Sequence, residues 1–339
     1  MSGSLALGKL APEQLAGLLD RNTFSLPDDR VVVYPGVGED AAVVDMGARW
    51  LVAKTDPITF ATDEIGWYVV QVNANDIAAA GGTPRWFLST LLLPENRSDV
   101  HLVDRIMGQI ADACRALDVV PCGGHTEVTY GLDRPIVIGV MLGEMLPGNL
   151  VRSSGVTVGD VILLTKGVAV EGTAILAREK GEELADRFSA LFLDRCRRFL
   201  HDPGISVVRD ARIATACARV HAMHDPTEGG VATGLWELAL ASGVGLVVDG
   251  EAIPVFEETA ALCQVYGLDP LGLIASGALL IAVSADDVAT VCSALEDQGI
   301  TACAIAQAVP SSQGITIRRK GDIHPLPRYD QDEIARIFV

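Results

Sequence analysis

Several features that would assign a class of protein at a glance are missing from this sequence. It contains no apolar run of about 18 residues, and its beginning, MSGSLALGKLAPEQL, lacks a basic segment followed by an apolar core. A membrane span and a secretion signal are therefore not expected. The seven cysteines are an odd number with no CxxC pair, which disfavours a disulfide framework and a structural zinc site. These absences predict a cytoplasmic protein.

Basic residues are also few. The chain has 26 Lys and Arg against 44 Asp and Glu, which gives a formal net charge of -18. Such a charge disfavours nucleic acid or an anionic membrane as a partner held by the overall field. A phosphorylated ligand would need metal ions to bridge it to so acidic a chain. The 339 residues, 49% of them hydrophobic, can bury a large core and suggest two domains of ordinary size.

The stretch around which the sequence is organised runs from Glu64 to Pro84, EIGWYVVQVNANDIAAAGGTP. It predicts a helix that is apolar almost all round, which is typical of a helix inside a domain. Asn73 and Asp76 interrupt it and, being three residues apart, share one face. A carboxylate on a buried helix costs free energy unless a cation or several donors meet it. Neighbouring backbone amides and a bound ligand are both open as the partner of Asp76.

Short runs with the period of strands alternate with helical patterns along the chain, which predicts an α/β (α+β) fold. The Gly-, Ser- and Pro-rich segment 147–160 precedes a new apolar strand, so we expect two domains, 1–148 and 149–339. Besides the central helix, helices are predicted at 12–20, 99–117, 173–179, 206–220, 231–241, 256–266 and 285–298. Strands are predicted at 31–34, 41–45, 50–55, 86–93, 119–121, 136–142, 161–164, 245–248, 278–283, 302–308 and 315–318.

Three short segments place carboxylates at the ends of predicted strands. GVGEDAA contributes Gly38 and Asp40, and KTDP contributes Lys54 and Asp56 directly after a strand. CGGHTE, residues 122–127, reads as a strand running into a glycine turn. Taken singly, each segment is more often only a turn. Together with the helix carboxylate they outline an oxygen-rich site of the kind magnesium prefers, and metal-bound nucleotide is its simplest occupant.

A second set of polar residues precedes a predicted helix in the second half, HDPTEGG before VATGLWELALA. Amides freed by Gly229 and Gly230, with the positive end of the helix, predict an anion site near Asp225 that suits phosphate. Alternatively Thr227 merely caps the helix, and both interpretations stay open. Lys166 and the segment Glu171-Gly172-Thr173 also precede a helix and are expected to face the same ligand.

In their order along the chain these segments resemble the AIR synthase superfamily, named for aminoimidazole ribonucleotide synthetase. It includes thiamine monophosphate kinase, selenophosphate synthetase and the hydrogenase maturation protein HypE. GVGEDAA is similar to the family's GxxxDAA segment, KTDP to its TD segment, VNANDIAAAGGTP to its NDxAxxGxxP helix and CGGHTEV to its GG(D/E)T loop. In the second half VRDARIA, HAMHDPTEGGV and the stretch up to ASGALLIAV look most like HypE. Four motifs in the same order make the resemblance specific.

The resemblance implies a sheet in the first domain that pairs with that of a second subunit, forming a β-barrel across a homodimer, and a C-terminal α/β sandwich. It implies magnesium-bound ATP in a cleft between the domains and phosphoryl transfer, in several members onto an amide-type oxygen. Asp40, Asp56 and Asp76 would then bind magnesium or phosphate. Catalysis is assigned to Asp76, His125 and Glu127. The other residues assigned to the nucleotide are Gly38, Lys54, Asn73, Gly123, Gly124, Thr126, Asp225, Thr227, Gly229 and Gly230.

Three positions depart from the family's pattern. His125 stands where the loop usually has Asp or Glu, although Glu127 is close enough in sequence to compensate. Ser276 stands where HypE proteins have the Glu of an NEG motif, so a candidate base is missing. HypE proteins end in PLPRxC, whereas here the segment 325–328 is followed by Tyr329-Asp330 and no cysteine follows up to residue 339. The self-modifying reaction of HypE is therefore not expected.

These patterns support a first hypothesis of a homodimeric, ATP- and magnesium-dependent enzyme that acts on a small external substrate. A small-molecule kinase like thiamine monophosphate kinase is a second hypothesis. A nucleotide-binding dimer without catalysis, serving as a protein partner in metallocentre maturation, is the third. Loss of the Glu and the Cys motivates the third hypothesis.

Overall fold

The computed structural model describes residues 10, 12–22, 28–36, 38–59, 63–329 and 331–338. The chain divides into two compact units. The N-terminal unit consists of Asp28–Tyr34 and Asp40–Leu150. The C-terminal unit consists of Val151–Val339 with Pro35–Glu39 and Met1–Pro27, so a short segment beside Asp40 belongs to the other unit. The first helix, α1, spans Pro12–Asn22.

A six-stranded sheet forms the N-terminal unit, with the strand order β1-β2-β3-β6-β4-β5. Neighbouring strands are antiparallel except β4 and β5, which are parallel. Strand β6 alternates between buried and half-buried residues, as expected of a sheet with one face on the core. The strands are β1 Val31–Val33, β2 Ala42–Asp45, β3 Trp50–Ile58, β4 Thr83–Pro94, β5 Val120–Thr129 and β6 Ile136–Met145. The helices are α2 Ile65–Ala79 and α3 Val100–Ala116.

Helix α2 confirms the predicted central helix. It packs against β3, β6 and α3, and every residue except Trp67 is buried. An all-round apolar surface suits a helix enclosed by a sheet on one side and a second helix on the other. Gly66 permits the close approach of α3, because a Cβ there would lie against the Ile106 carbonyl oxygen. Asn73 and Asp76 are therefore presented inside the unit and not at its surface.

The C-terminal unit is built on a seven-stranded sheet with the order β13-β12-β9-β11-β7-β10-β8. All pairs are antiparallel except β9 with β12, and β10 is buried at every position. Its strands are β7 Val161–Thr165, β8 Val220–His224, β9 Val244–Asp249, β10 Leu280–Val283, β11 Ala302–Pro310, β12 Ile315–Arg319 and β13 Asp322–Pro325. Its helices are α4 Val170–Glu179, α5 Gly181–Leu184, α6 Ala190–Arg198, α7 Val208–Cys217, α8 Gly230–Ser242, α9 Glu257–Tyr266, α10 Val288–Glu296 and α11 Ala335–Phe338.

Three predictions about local structure are wrong. Strand β3 continues to Ile58, so Lys54 and Asp56 lie within the strand and not directly after it. The predicted helix 206–220 ends at Cys217, and Val220 already belongs to the unpredicted strand β8. The segment 122–127 is not a glycine turn, because β5 continues through it. Cys122 is the extra residue of a β-bulge opposite Phe87 and Leu88. Gly124 allows β5 to run close to β4, because a Cβ at this position would overlap the Ser89 carbonyl oxygen of β4.

Candidate functional site

Lys54 of β3 joins two of the predicted carboxylates. Its Nζ lies 3.0 Å from Asp76 Oδ1 and 3.3 Å from Asp56 Oδ2. The side chain of Asp76 is only 7% exposed and that of Lys54 only 15%. The buried helix carboxylate therefore meets a cation from the neighbouring strand, which lowers the cost of its burial.

The electrostatics of Lys54 reflect three carboxylates. Burial opposes its charge, but the attraction of Asp76, Asp56 and Asp40 outweighs burial and raises the pKa of Lys54 above its ordinary value. Lys54 is therefore a permanent positive charge at any physiological pH. Asp40 contributes through the field, so the three aspartates predicted from three separate segments act on one ammonium group.

Asn73 fixes the position of Asp56. Its Oδ1 accepts the Asp56 backbone N–H at 2.8 Å, and its Nδ2 donates to the Asp56 carbonyl at 3.3 Å and to the Val69 carbonyl at 2.8 Å. Gly139 of β6 leaves room for this amide, since a Cβ there would lie 2.5 Å from Asn73 Nδ2. Both ends of the Asn73 side chain are thus bonded to the chain itself. Its contribution to a site is to hold Asp56 against α2.

The donor set of this cluster suits a hard divalent cation. Asp40, Asp56 and Asp76 offer only carboxylate oxygens, which magnesium prefers. With Lys54 charged, the four side chains carry a formal charge of about -2, which a divalent ion would balance. In donor chemistry and in charge these residues therefore suit Mg²⁺. Gly38, two residues before Asp40, has a φ of +82°, a conformation that favours glycine.

Strand β5 carries the next group of predicted residues, at the edge of the sheet. His125 Nε2 lies 3.4 Å from Glu127 Oε2, and both side chains are more than half exposed. Gly123, Gly124 and Thr126 lie on the same strand. Since β6 and β4 separate β5 from β3, these residues are about 14 Å from the Lys54 cluster along the sheet. The structure does not bring the two groups together within one chain.

The predicted anion site at the start of α8 is already occupied by the chain. The Gly229 N–H donates to Asp332 Oδ2 at 2.7 Å, and the Gly230 N–H donates to the Thr227 carbonyl at 3.1 Å. The expectation that both glycine amides are free was therefore wrong. Thr227 is not the cap either, because the cap position belongs to Gly229, whose φ is +78° and which has no side-chain cap.

Histidines on β8 are each held by an acid of the same unit. His224 Nε2 lies 2.7 Å from Glu237 Oε2, and His221 Nδ1 lies 2.9 Å from the Asp160 carboxylate. Asp225 follows β8 directly and is 3% exposed. The end of β8 thus presents a buried carboxylate directly before the turn that leads into α8.

Lys166 and Glu171 do not lie free for a ligand. Lys166 Nζ donates to the Ser206 carbonyl at 2.6 Å and to the Gly277 carbonyl at 2.9 Å, and lies 3.1 Å from Asp210 Oδ1. Burial lowers the pKa of Lys166, and Asp210 opposes that change. These contacts tie Lys166 to the loop that contains Gly277.

Glu171 lies beside Ser276 in the interior of the same unit. Burial raises the pKa of Glu171 to about 7, against hydrogen bonds from Ser276 that lower it, and the carboxylates of Glu228 and Asp332 raise it further. Among the described residues, Glu171 Oε2 has no hydrogen-bond partner. Sequence reasoning placed Glu171 near a ligand but gave no sign that the structure would bring Asp332, more than 150 residues away, into its neighbourhood.

Asp332 is the residue that the sequence analysis missed. It follows Tyr329 by three positions in the polar segment RYDQDE, which reads as solvated loop. Its available signal was an Asp and a Glu just before the apolar pair Ile334-Ala335, a pattern that starts a helix. That signal predicts helix α11. It does not indicate that the Asp332 carboxylate accepts a hydrogen bond at the start of α8.

Fold and site together define a two-domain AIR synthase fold. Two family models match the chain, the N-terminal domain of AIR synthase related protein over 38–145 and the C-terminal domain over 157–318. Carbamoyl dehydratase HypE of Cupriavidus necator is 30% identical over 304 residues, 87% of this chain and 82% of that protein. A putative hydrogenase expression/formation protein of Methanocaldococcus jannaschii is 27% identical over 315 residues, 87% and 90% of the two chains. This chain belongs to the AIR synthase related family, and the resemblance seen in its motifs is confirmed.

Solved structures agree with this assignment of the fold. The crystal structure of Escherichia coli HypE superposes with a TM-score of 0.74 at 22% identity, covering 96% of this chain and 99% of that one. Thiamine monophosphate kinase from Aquifex aeolicus gives a TM-score of 0.69 at 20% identity, covering 93% and 100%. Within the described part of the chain, no helix has both the length and the hydropathy that crossing a bilayer requires.

Proposed function

We propose that this protein binds magnesium-bound ATP at the Lys54 cluster and transfers a phosphoryl group to a small external substrate. The cluster carries the proposal, because Asp76 and Asp56 lie 3.0 and 3.3 Å from one buried lysine, and Asp40 acts on the same lysine electrostatically. We further propose that residues 1–148 form the ATP-binding and dimerisation domain and 149–339 the second domain. Tyr329-Asp330 after Arg328, where HypE has x-Cys, motivates the external substrate.

In this mechanism the carboxylates of Asp40, Asp56 and Asp76 would hold Mg²⁺, which would neutralise the charge of the phosphates. Lys54 adds a fixed positive charge next to them. Its ammonium needs no reorganisation because two carboxylates already orient it. Asn73 keeps Asp56 in place through the backbone. Since phosphoryl transfer depends mainly on position and charge, this rigid set is suited to it.

The remaining predicted residues take roles that agree with their surroundings. His125 and Glu127, the pair on β5, lie about 14 Å from the Lys54 cluster of their own chain, so we propose that they act in the dimer, where they would take the proton of the phosphoryl acceptor held by the second subunit. Gly123, Gly124 and Thr126 are proposed to line the nucleotide. Asp225 and Thr227 are also proposed to contact the nucleotide, whereas Gly229 and Gly230 shape the turn before α8 through their left-handed backbones.

Two neighbours of this fold lend support to a nucleotide. HypE was solved in complex with ATP, with a TM-score of 0.68 to this chain at 23% identity. A second neighbour, AaThiL complexed with AMPPCP and TMP, has a TM-score of 0.70 at 20% identity. At such identities these likenesses concern the fold, so the ligand is proposed from the carboxylate cluster.

Calorimetric titration with ATP tests the proposal. Wild type is expected to bind ATP only with magnesium, and Asp76→Asn to bind it at least about tenfold more weakly, because one ligand charge is lost. Asp104→Asn, an exposed change on α3, serves as the control and should leave the affinity unchanged. A folded wild type that binds ATP equally well without magnesium would contradict the metal site, and one that does not bind ATP would contradict the whole proposal.

We also propose that the protein is a homodimer formed through β5. This edge strand is exposed at nine of its ten residues, and it carries the exposed apolar side chains Val120 and Val128. An open edge of this kind is usually covered. Sedimentation should give twice the chain mass, and Val128→Lys should shift the protein to monomer at micromolar concentration. Val158→Lys, an equally exposed valine of the other unit, should not. A monomeric wild type would contradict this part of the proposal.

A small-molecule kinase and an inactive nucleotide-binding partner are the two alternatives. The first is supported by the kinase among the neighbours. The second is supported by a neighbour that was solved as a HypE-HypF complex, which suggests a protein partner in metallocentre maturation. Phosphate release measured on the calorimetry samples separates enzyme from partner, since an inactive dimer binds nucleotide without turnover.

A further inference from the structure

The segment after β13 packs on a loop inside the C-terminal unit. We call residues 326–329 and 331–338 the strap, and residues 271–276, which precede β10, the inner loop. Every residue of the inner loop is buried. Glu333 of the strap donates its backbone N–H to the Gly272 carbonyl of the inner loop at 3.1 Å. The strap and the inner loop are therefore joined through their main chains.

Side chains of the strap add further contacts at this loop and just before it. Tyr329 donates its hydroxyl to Asp269 Oδ2 at 2.7 Å. Gly272 leaves room for the Tyr329 ring, because a Cβ at Gly272 would overlap the ring. The Glu333 carboxylate accepts the Asp269 N–H at 2.9 Å and a hydrogen bond from Arg336 Nη1 at 2.7 Å. The negative charge of Glu333 is therefore met by a cation of the strap itself.

Asp332 of the strap presents its carboxylate to the interior. The residue is only 6% exposed. Its Oδ2 accepts the Gly229 N–H at 2.7 Å, its Oδ1 accepts the Ile334 N–H at 2.8 Å, and the amide of Ile274 also acts on it. The Ile274 carbonyl in turn accepts the Gly172 N–H of α4 at 3.1 Å. Ile274 of the inner loop therefore links the strap carboxylate to the first turn of α4.

Three carboxyl groups from three elements gather around the inner loop. Glu171 comes from α4, Glu228 from the turn before α8 and Asp332 from the strap. The charge of Glu228 acts on both of the others, and the charge of Asp332 acts on Glu171. Glu171 is buried, and its Oε2 has no hydrogen-bond partner in the part of the chain that the structure describes. Like charges repel strongly where water is excluded, so the closed strap is least stable when all three groups are ionised.

The protons on these groups depend on the position of the strap. Burial raises the pKa of Asp332 to about 6, although backbone amides act to lower it. Burial also raises the pKa of Glu171 to about 7, against hydrogen bonds from Ser276. An open strap returns Asp332 to water, where an aspartate has a pKa of about 4. Between these values the closed form binds more protons than the open form, and a rise in pH therefore favours opening.

We propose that the strap is a proton-linked latch, which stays closed over the inner loop while Asp332 and Glu171 hold protons and opens locally when both are ionised. Opening carries Asp332 into water and separates it from Glu171 and Glu228, which removes the repulsion among them. It also exposes the inner loop. The latch uses no nucleotide, so the inference goes beyond the proposed function and fails or holds independently of it.

Hydrogen exchange of the full chain without nucleotide tests the latch. The amides of Glu333 and Gly229 report the strap, because both are bonded across its contact with the rest of the unit. After correction for the intrinsic effect of pH on exchange, their protection should fall at least about tenfold between pH 5 and pH 7. At each pH it should stay below the protection of the β10 amides, which report unfolding of the whole unit.

A double substitution shows which groups carry the effect. Asp332→Asn with Glu171→Gln replaces both carboxyl groups by neutral amides, so strap protection should no longer change between pH 5 and pH 7. Asp322→Asn on β13, exposed and outside the strap, is the matched control and should keep the wild-type fall.

Three results would each overturn the latch. The first is wild-type strap protection that does not change with pH, and the second is strap protection equal to that of β10 at every pH. The third is a double variant that keeps the wild-type fall. If the double variant leaves the strap unprotected at every pH, the wild-type profile decides by itself. Magnesium-dependent ATP binding is measured separately, so failure of the proposed function is distinguishable from failure of the latch.

Discussion

Replacing Lys54 with methionine is expected to destabilise the N-terminal unit by about 3–5 kcal/mol and to abolish magnesium-dependent ATP binding. The change keeps an unbranched side chain, one heavy atom shorter, but removes the ammonium that lies 3.0 Å from Asp76 and 3.3 Å from Asp56. Asp76 is then a buried carboxylate without its lysine, which costs far more than the loss of a surface ion pair. Chemical unfolding monitored on the full chain measures the loss.

A double substitution separates charge from packing in this prediction. Lys54→Met with Asp76→Asn removes both charges, so its unfolding free energy should lie well above that of Lys54→Met alone. Lys320→Met, an exposed lysine of the C-terminal unit, should change stability by less than about 0.5 kcal/mol. If the single and the double variant are equally unstable, the aspartate is not held by the lysine, and the electrostatic account of the cluster is wrong.

Replacing Glu171 with glutamine is expected to remove a pH dependence of stability. The pKa of Glu171 is raised from an ordinary 4.5 to about 7. A carboxyl with a raised pKa favours the folded state fully below its unfolded pKa, and that contribution is lost as pH rises through the folded one. The wild-type protein should therefore lose roughly 3 kcal/mol of unfolding free energy between about pH 4.5 and pH 8 from this group.

Glutamine resembles the protonated carboxyl, so the variant should be flatter with pH and more stable than wild type above pH 7. Denaturant unfolding at a series of pH values from 5 to about 9 measures this difference. Glu182→Gln on α5, an exposed change near by in sequence, is the control and should keep the wild-type slope. Parallel curves for wild type and Glu171→Gln would mean that Glu171 is ionised at neutral pH in the folded protein.

The first carboxylate cluster was within reach of the sequence. Asp76 lies on an otherwise apolar helix, so its carboxylate needs a cation or hydrogen-bond donors in the interior. The motif that contains Lys54 and Asp56 supplied charged residues close by in the sequence. The glycine-flanked segment GVGEDAA supplied Asp40 from its own residues, and the family resemblance agreed with it. What the sequence did not indicate was that Asn73 would bond to the backbone of Asp56, because an amide has no preferred partner until the strand and helix pack.

The contacts that the sequence did not indicate share a different property. Asp332, Glu171 and Lys166 each contact or influence residues that are 40 to more than 150 positions away along the chain. Each contact depends on which loop or helix end packs beside the residue. The local sequence pattern does not indicate such long-range contacts. The glycine segment of β5 failed for another reason, since paired glycines usually mark turns, whereas Gly124 serves a close approach of two parallel strands.

The Asn73 amide has a consequence for the energetics of ligand binding. The Asn73 side chain hydrogen-bonds both the N–H and the carbonyl of Asp56, so it fixes this strand residue to α2, the helix that also carries Asp76. The conformational entropy of the two carboxylates is therefore lost when the domain folds, before any ligand binds. Ligand binding at these carboxylates therefore costs the protein little conformational freedom. The entropy of binding is then dominated by the release of water and ions.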